Sequence, residues 1–350
     1  MPHSVKTAYP KLFVVGCPRS GTSWVTSLVG GHPDVVSIPI ETHAYRLIYE
    51  PFLSLSQQSL QQRCKAWKGI LRRYGPKPLL LGFEAKDIWR GILRDYDILN
   101  RPTSHGLHAL ANRETFRTLL QSAQASSDSV INQAENFIAY LLDHFYEQQG
   151  YPGMTLLEKT PLHLRYVEPM LRRFPEARVI EVIRDGRDVC VSYNALAKTQ
   201  TWARIGTAGA IRQWRRCIEW GEAHRSQPDL TARILPVRYE QLKAHPTEQL
   251  AHIFDFAGLH WHPQQLQHIV QAHDIERIRY RGEGQYVRQG RVGSWRQAMS
   301  TADQQLCTTL AGQQLTQLGY MAAPLPSPIR TVTSPGHSMS QLQGLPRSDR

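Results

Sequence analysis

The sequence predicts an α/β protein: a three-layer, P-loop-like parallel sheet flanked by helices. Three observations carry that expectation. Short apolar strands alternate with helical segments along the chain. The first strand, Lys11–Gly16, runs directly into a glycine-bearing turn and a helix. Clusters of basic and hydroxyl residues follow the later strands, where doubly wound sheets hold their ligands.

The first strand–helix unit spans about residues 11–31, with the helix starting near Ser20. Val25, Leu28 and Val29 give that helix an apolar face, and Gly30, Gly31 and Pro33 end it. Val35–Ile38 reads as a short strand leading into Glu41, Thr42 and His43. Residues 44–150 form a largely helical insertion, a natural place for a substrate-binding cap. Its clearest helix carries Ala134, Phe137, Ile138, Leu141, Leu142 and Phe145 on one face, with Gly150 just past the end. Prolines and glycines break the pattern over 74–106, and no element is assigned there.

A second unit opens with a strand over Met154–Glu158, ending in Lys159, Thr160 and Pro161. A helix over 163–173 presents Leu164, Val167, Met170 and Leu171. Arg178–Ile183 is a strand, and the polar loop Arg184–Arg187 opens a helix over about 188–198. The helix over 207–224 aligns Ile211, Trp214 and Ile218. Ile234–Tyr239 is the last strand, and Thr247 is expected to cap a helix ending at Gly258. Residues 281–296 are a basic, glycine-rich loop, and a helix over 301–317 closes a single domain over 10–323. The Pro-, Ser-, Gly- and Gln-rich stretch 324–350 is expected to be disordered.

The 350 residues carry 41 Lys and Arg against 29 Asp and Glu, a formal charge of +12. Such a balance suits acidic partners without choosing among them. No RRM, KH, zinc-finger or helix-turn-helix pattern is present, so no nucleic-acid partner is expected. No apolar run approaches the length of a membrane span, and residues 1–9 lack a signal-peptide pattern. The five cysteines are scattered and form no C-x-x-C pair, which points to reduced thiols and a cytoplasmic protein. Cys17, inside the first turn, reads as a small filler.

The turn after the first strand decides most of the functional reading. Gly16 and Gly21 have the P-loop spacing G-x-x-x-x-G-K-[ST], but Thr22 stands where the Lys belongs, and Arg19 lies inside the loop. Three further clusters fall beyond strand ends or in the late basic loop: Lys159 with Thr160, Arg184 with Ser192, and Arg288–Arg291. Together they suggest a ligand with more than one anionic group.

These residues carry a family resemblance. Pro18-Arg19-Ser20-Gly21-Thr22-Ser23-Trp24 is similar to the 5′-phosphosulfate loop of sulfotransferases, P-K-S-G-T-T-W in soluble members. Arg184 at a strand end, with Ser192 eight residues on, resembles the family's 3′-phosphate motif. Arg288-Gln289-Gly290-Arg291-Val292-Gly293-Ser294-Trp295-Arg296 is similar to R-K-G-x-x-G-D-W-K, departing at Gln289, Ser294 and Arg296. The resemblance covers about residues 10–320 and implies the donor 3′-phosphoadenosine 5′-phosphosulfate, used without a metal. It implies that Ser20, Gly21, Thr22 and Ser23 bind the 5′-phosphate and that Arg19 reaches the sulfuryl group. It further implies that Trp24 stacks on adenine, that Arg184 and Ser192 hold the 3′-phosphate, that Arg288 and Gly290 close over it, and that Tyr239 contacts the nucleotide. His32-Pro33-Asp34-Val35 followed by Glu41 and Thr42 resembles the tyrosylprotein type with one inserted residue. That makes Glu41 the expected general base, with His43 the competitor and Lys159 a contact to the leaving group or sulfuryl. The acceptor implied is a hydroxyl on a glycan, natural product, lipid or phenol. An ATP-dependent P-loop phosphotransferase and a non-catalytic nucleotide or polyanion binder are the rival readings.

Overall fold

The computed structural model describes residues 9–56, 87–98, 106–150, 152–275 and 290–322. Arg288 and the stretch 324–350 lie outside the described residues, as does part of the 74–106 segment.

Five parallel strands make one sheet: β1 (Lys11–Gly16), β2 (Val35–Ser37), β3 (Thr155–Lys159), β4 (Arg178–Ile183) and β5 (Ile234–Arg238), in the order β2-β3-β1-β4-β5. Register places Val14 beside Lys159, Gly16 beside Val182 and Ile183 beside Arg238, so the carboxyl ends of the strands line one edge. Successive β1 side chains point to opposite faces. Leu12 and Val14 therefore join one core layer, and Phe13 and Val15 the other. Each fully buried side chain of this kind contributes about 1.5–3 kcal/mol through removal from water.

On the Leu12 face lie α1 (Thr22–Gly30) and, later in the chain, the helices over Tyr239–Ala244, Pro246–Ala257 and Pro263–Ala272. The Phe13 face is covered by α2 (Ala44–Ser56), α3 (Asp87–Ile98), α4 (Arg113–Gln124), α5 (Val130–Gln149), α6 (Val167–Arg173), α7 (Gly186–Leu196) and α8 (Gly206–Arg225). The three helices named first after α1 are α9, α10 and α11, and α12 (Thr301–Gln317) packs on α8. α2 to α5 fill the crossover from β2 to β3, where the helical insertion was expected.

Two local expectations are corrected. Residues 161–166 form a 3-10 segment before α6, because Pro161 fixes the first turn and Thr160 is still extended. α10 begins with Pro246 in its first turn and His245 as N-cap, so Thr247 lies inside the helix rather than capping it. Gly258 ends α10 at φ 74°, a left-handed conformation that suits glycine.

Candidate active site

The loop between β1 and α1 is shaped to receive an anion. Arg19 has φ 77° and Gly21 φ 100°, and no side chain caps α1. The helix N-terminus therefore keeps its positive end available, and the loop curls its backbone toward it. Gly16 sits so close to β4 that a Cβ there would lie 2.6 Å from the Val182 carbonyl oxygen. A Cβ on Gly21 would lie 2.4 Å from the Tyr239 ring. Thr22 and Ser20 are buried, and Cys17 is buried with its thiol pushed up by burial, which fits the filler role.

Arg184, at the end of β4, is brought against this loop. Its Nη1 donates to the Arg19 carbonyl at 3.3 Å and its Nη2 to the Arg291 carbonyl at 2.8 Å. Arg19 Nε donates to Ser192 Oγ on α7 at 3.1 Å. The structure thus brings the first two motifs together through two direct contacts. Ser20 Oγ and Arg184 Nε are buried and lack a hydrogen-bond partner among the described residues. An unpaired buried polar atom costs about 1–3 kcal/mol, so two of them in adjoining motifs fit an anionic ligand that would complete them.

Tyr239 joins the pieces from beneath. Its ring supports Gly21, the Arg184 guanidinium lies 4.3 Å from the ring centroid, and its hydroxyl donates to the Gly290 carbonyl at 2.8 Å. Burial pushes its phenol up to about 12, against the opposing pull of Arg184, so it remains a donor at neutral pH. Trp24 packs edge-on to Tyr239 with centroids 5.6 Å apart, and its indole N–H donates to the His273 carbonyl at 2.9 Å. Its ring is buried in the α1–α11 packing. Ser23 is half-buried in the first turn of α1.

A second cluster forms on the β2–β3 side. Lys159 Nζ pairs with Glu41 Oε1 at 2.5 Å, and His43 Nε2 lies 3.5 Å from Glu41 Oε2. The neighbouring Glu158 points the other way, as strand alternation requires. It accepts bonds from Thr42 Oγ1 at 2.8 Å and Thr160 Oγ1 at 2.6 Å, with His163 Nδ1 at 3.2 Å. Burial pushes the Glu158 carboxyl up, but His163 and the hydroxyl donors outweigh it and hold it below its ordinary value. This buried knot fixes the backbone just after Glu41. His43 is held at φ 51°, with its N–H 3.4 Å from Thr160 Oγ1, a conformation costly for a residue with a side chain. The insertion reaches the same place: the Gly106 N–H donates to the Glu41 carbonyl at 2.7 Å.

Sequence reasoning missed Glu158, His163 and Asp188. Asp188 is buried and gathers the segment after Gly290: it accepts from the Gly293 N–H at 2.7 Å, Ser294 Oγ at 2.8 Å and the Trp295 N–H at 3.0 Å. Asp188 and Ser192 lie four apart on α7 and so share one helix face, a signal present in the sequence. Asp185, the best candidate for a metal-binding Asp, accepts three bonds from Arg187, through its backbone N–H, Nε and Nη2.

The sulfotransferase family model matches residues 10–263. Protein-tyrosine sulfotransferase 1 of Danio rerio is 24% identical over 262 residues, covering 74% of this chain and 56% of the relative. The protein-tyrosine sulfotransferase of Drosophila melanogaster is 26% identical over 268 residues, covering 76% of this chain and 41% of the relative. The chain thus spans about half the length of the curated relatives it matches. The crystal structure of mouse sulfotransferase SULT7A1 complexed with PAP aligns with TM-score 0.49 and 13% identity over 89% of this chain and 87% of that one. With the family pattern matched over most of its length, the chain belongs to the sulfotransferase family.

Proposed function

We propose that this protein moves a sulfuryl group from 3′-phosphoadenosine 5′-phosphosulfate to a hydroxyl acceptor. The observation that carries the reading is the junction of Arg184 with the Arg19 carbonyl, flanked by the unpaired Ser20 Oγ and Arg184 Nε. Two anion sites, one at a helix N-terminus and one at a strand-end arginine, fit a nucleotide phosphorylated at both ends. Ser20, Gly21, Thr22 and Ser23 would hold the 5′-phosphate, and Arg184 and Ser192 the 3′-phosphate. Tyr239 and Gly290 would support that end, with Arg288 closing beside them. Trp24 would border the adenine.

Glu41 would accept the proton of the attacking hydroxyl, and Lys159 and Arg19 would meet the charge that develops on the sulfuryl and bridging oxygens. The Lys159–Glu41 pair supports this division of roles, because sulfuryl oxygens can take the ammonium and release the carboxylate toward the acceptor. The transfer is in line: the acceptor oxygen bonds to sulfur as the bond from sulfur to the bridging oxygen breaks, leaving adenosine 3′,5′-bisphosphate. No metal is needed in this scheme, since fixed N–H groups and cations supply the stabilisation. The helical insertion would cap the acceptor, and the phenolic hydroxyl named in its relatives stands first among acceptors to try. A cytoplasmic protein remains our reading; among the described residues no helix is long and apolar enough to cross a membrane, and four cysteines are free thiols.

The ATP-dependent reading is disfavoured by Thr22 in the lysine position and by the engagement of Asp185 with Arg187. Release of adenosine 3′,5′-bisphosphate from the sulfated donor, across a screen of phenols, sugars and lipids, tests the proposal. Turnover of ATP with Mg²⁺ and none of the sulfated nucleotide would overturn it.

A further inference from the structure

We infer that Asp188 sets the preference for a 3′-phosphorylated nucleotide, by latching the segment Gly290–Trp295 against Arg184. This inference rests on the donor proposed above. Asp188 lies in the first turn of α7, four residues past Arg184, and is almost wholly buried. Both carboxylate oxygens are used: Oδ2 accepts from the Gly293 N–H, and Oδ1 from Ser294 Oγ and the Trp295 N–H. Two more contacts pin the same segment, Arg184 Nη2 to the Arg291 carbonyl and the Tyr239 hydroxyl to the Gly290 carbonyl. The Arg187 guanidinium then stacks 3.6 Å from the Trp295 ring centroid. Arg184 is therefore oriented from two sides, by the Arg19 carbonyl and by the segment that Asp188 holds. Asp188 is a positioning residue that acts through that segment.

Position and charge predict opposite signs. A buried carboxylate four residues from Arg184 in the chain repels a phosphate there, so neutralising it should tighten binding if charge were all that mattered. If the latch matters, neutralising it frees the segment, loosens Arg184 and weakens binding. The weakening should fall mainly on the 3′-phosphate, because the loop that binds the 5′-phosphate is built on β1 and α1 and meets Arg184 only through the Arg19 carbonyl.

The experiment measures calorimetric affinity of the full chain for adenosine 3′,5′-bisphosphate and for adenosine 5′-monophosphate, in wild type, Asp188→Asn and Ser294→Ala. We expect the wild type to favour the bisphosphate. Asp188→Asn should cut that preference by about tenfold or more, and Ser294→Ala by a smaller factor, with monophosphate affinity within about threefold of wild type in both. Equal weakening of both nucleotides, or unchanged or tighter bisphosphate binding, overturns the inference and leaves the donor reading standing. No preference in the wild type overturns the donor reading and the inference with it. Ser294→Ala removes a single hydroxyl from a half-buried position, so it decides the matter if Asp188→Asn fails to fold.

Discussion

Replacing Glu41 by Gln separates proton transfer from everything else the residue does. The amide keeps the shape and can still accept a bond from Lys159, but it cannot take a proton at neutral pH. A positioned general base contributes roughly 10²–10⁴-fold, which at 1.36 kcal/mol per decade is about 2.7–5.4 kcal/mol of barrier. The ion pair lost with it is a quarter exposed on the Glu41 side. Partly exposed pairs of this kind are worth about 0.2–1 kcal/mol, so folding should weaken by a few degrees in Tm at most. Glu41 is not among the groups assigned to the phosphates, so bisphosphate affinity should change by less than about threefold, under 1 kcal/mol. The assay is initial-rate release of adenosine 3′,5′-bisphosphate at saturating donor, with calorimetric binding and a melting curve on the same preparation. His43→Gln is the companion variant, expected to cost less than about tenfold because its imidazole, the competing base, does not take the proton in this scheme. A kcat for Glu41→Gln within about fivefold of wild type, or a loss of about a hundredfold or more on His43→Gln alone, would refute Glu41 as the base.

Three other outcomes follow from the site. Arg184→Ala should weaken adenosine 3′,5′-bisphosphate binding by about 10–100-fold, the range for a charged hydrogen-bond donor, read by calorimetry. Gly21→Ala places a methyl 2.4 Å from the Tyr239 ring at φ 100°, and should lower Tm and donor affinity together, while Ser23→Ala should lower affinity with little change in Tm. Glu158 is held below its ordinary carboxyl value of 4.5, so its contribution is fully present above that pH and is lost as pH falls through the folded value. Melting curves from pH 7 to pH 3 should therefore fall more steeply for wild type than for Glu158→Gln below about pH 4.5; parallel curves would remove the role assigned to the buried knot.

Much of the sheet was legible because buried parallel strands and their turns leave short-range marks. β4 spans Arg178–Ile183 as expected, and the first strand ends at Gly16 where backbone must pass Val182 closely. The meeting of the first two motifs was legible for the same reason: Arg19 to Ser23 and Arg184 to Ser192 are local patterns tied to strand ends. Glu158 and His163 were not, because their meaning lies in contacts with Thr42 and Tyr45, across 116 and 118 residues. Nothing near Glu158 distinguishes a buried structural carboxylate from a surface one. Asp188 fell between the two cases: its face was readable from spacing, but its partners at Gly293 to Trp295 lie more than 100 residues away. The 3-10 turn after β3 was misread as helix because apolar spacing does not report the strain that Pro161 places on the turn before it.

The strand order β2-β3-β1-β4-β5 divides labour across the sheet. Glu41 and Lys159 follow β2 and β3 on one flank, while Arg184 and Tyr239 follow β4 and β5 on the other, with the Arg19 loop at the centre. On the proposed roles, mutational drift in α2 to α5 would fall beside Glu41 and Lys159 rather than beside Arg184 and Tyr239. A lineage with this layout would then trade one acceptor for another without renegotiating how it grips its nucleotide. The same division would give a protein engineer a natural cut line, with libraries placed in α2 to α5 and the proposed donor residues Arg19, Arg184 and Tyr239 left untouched.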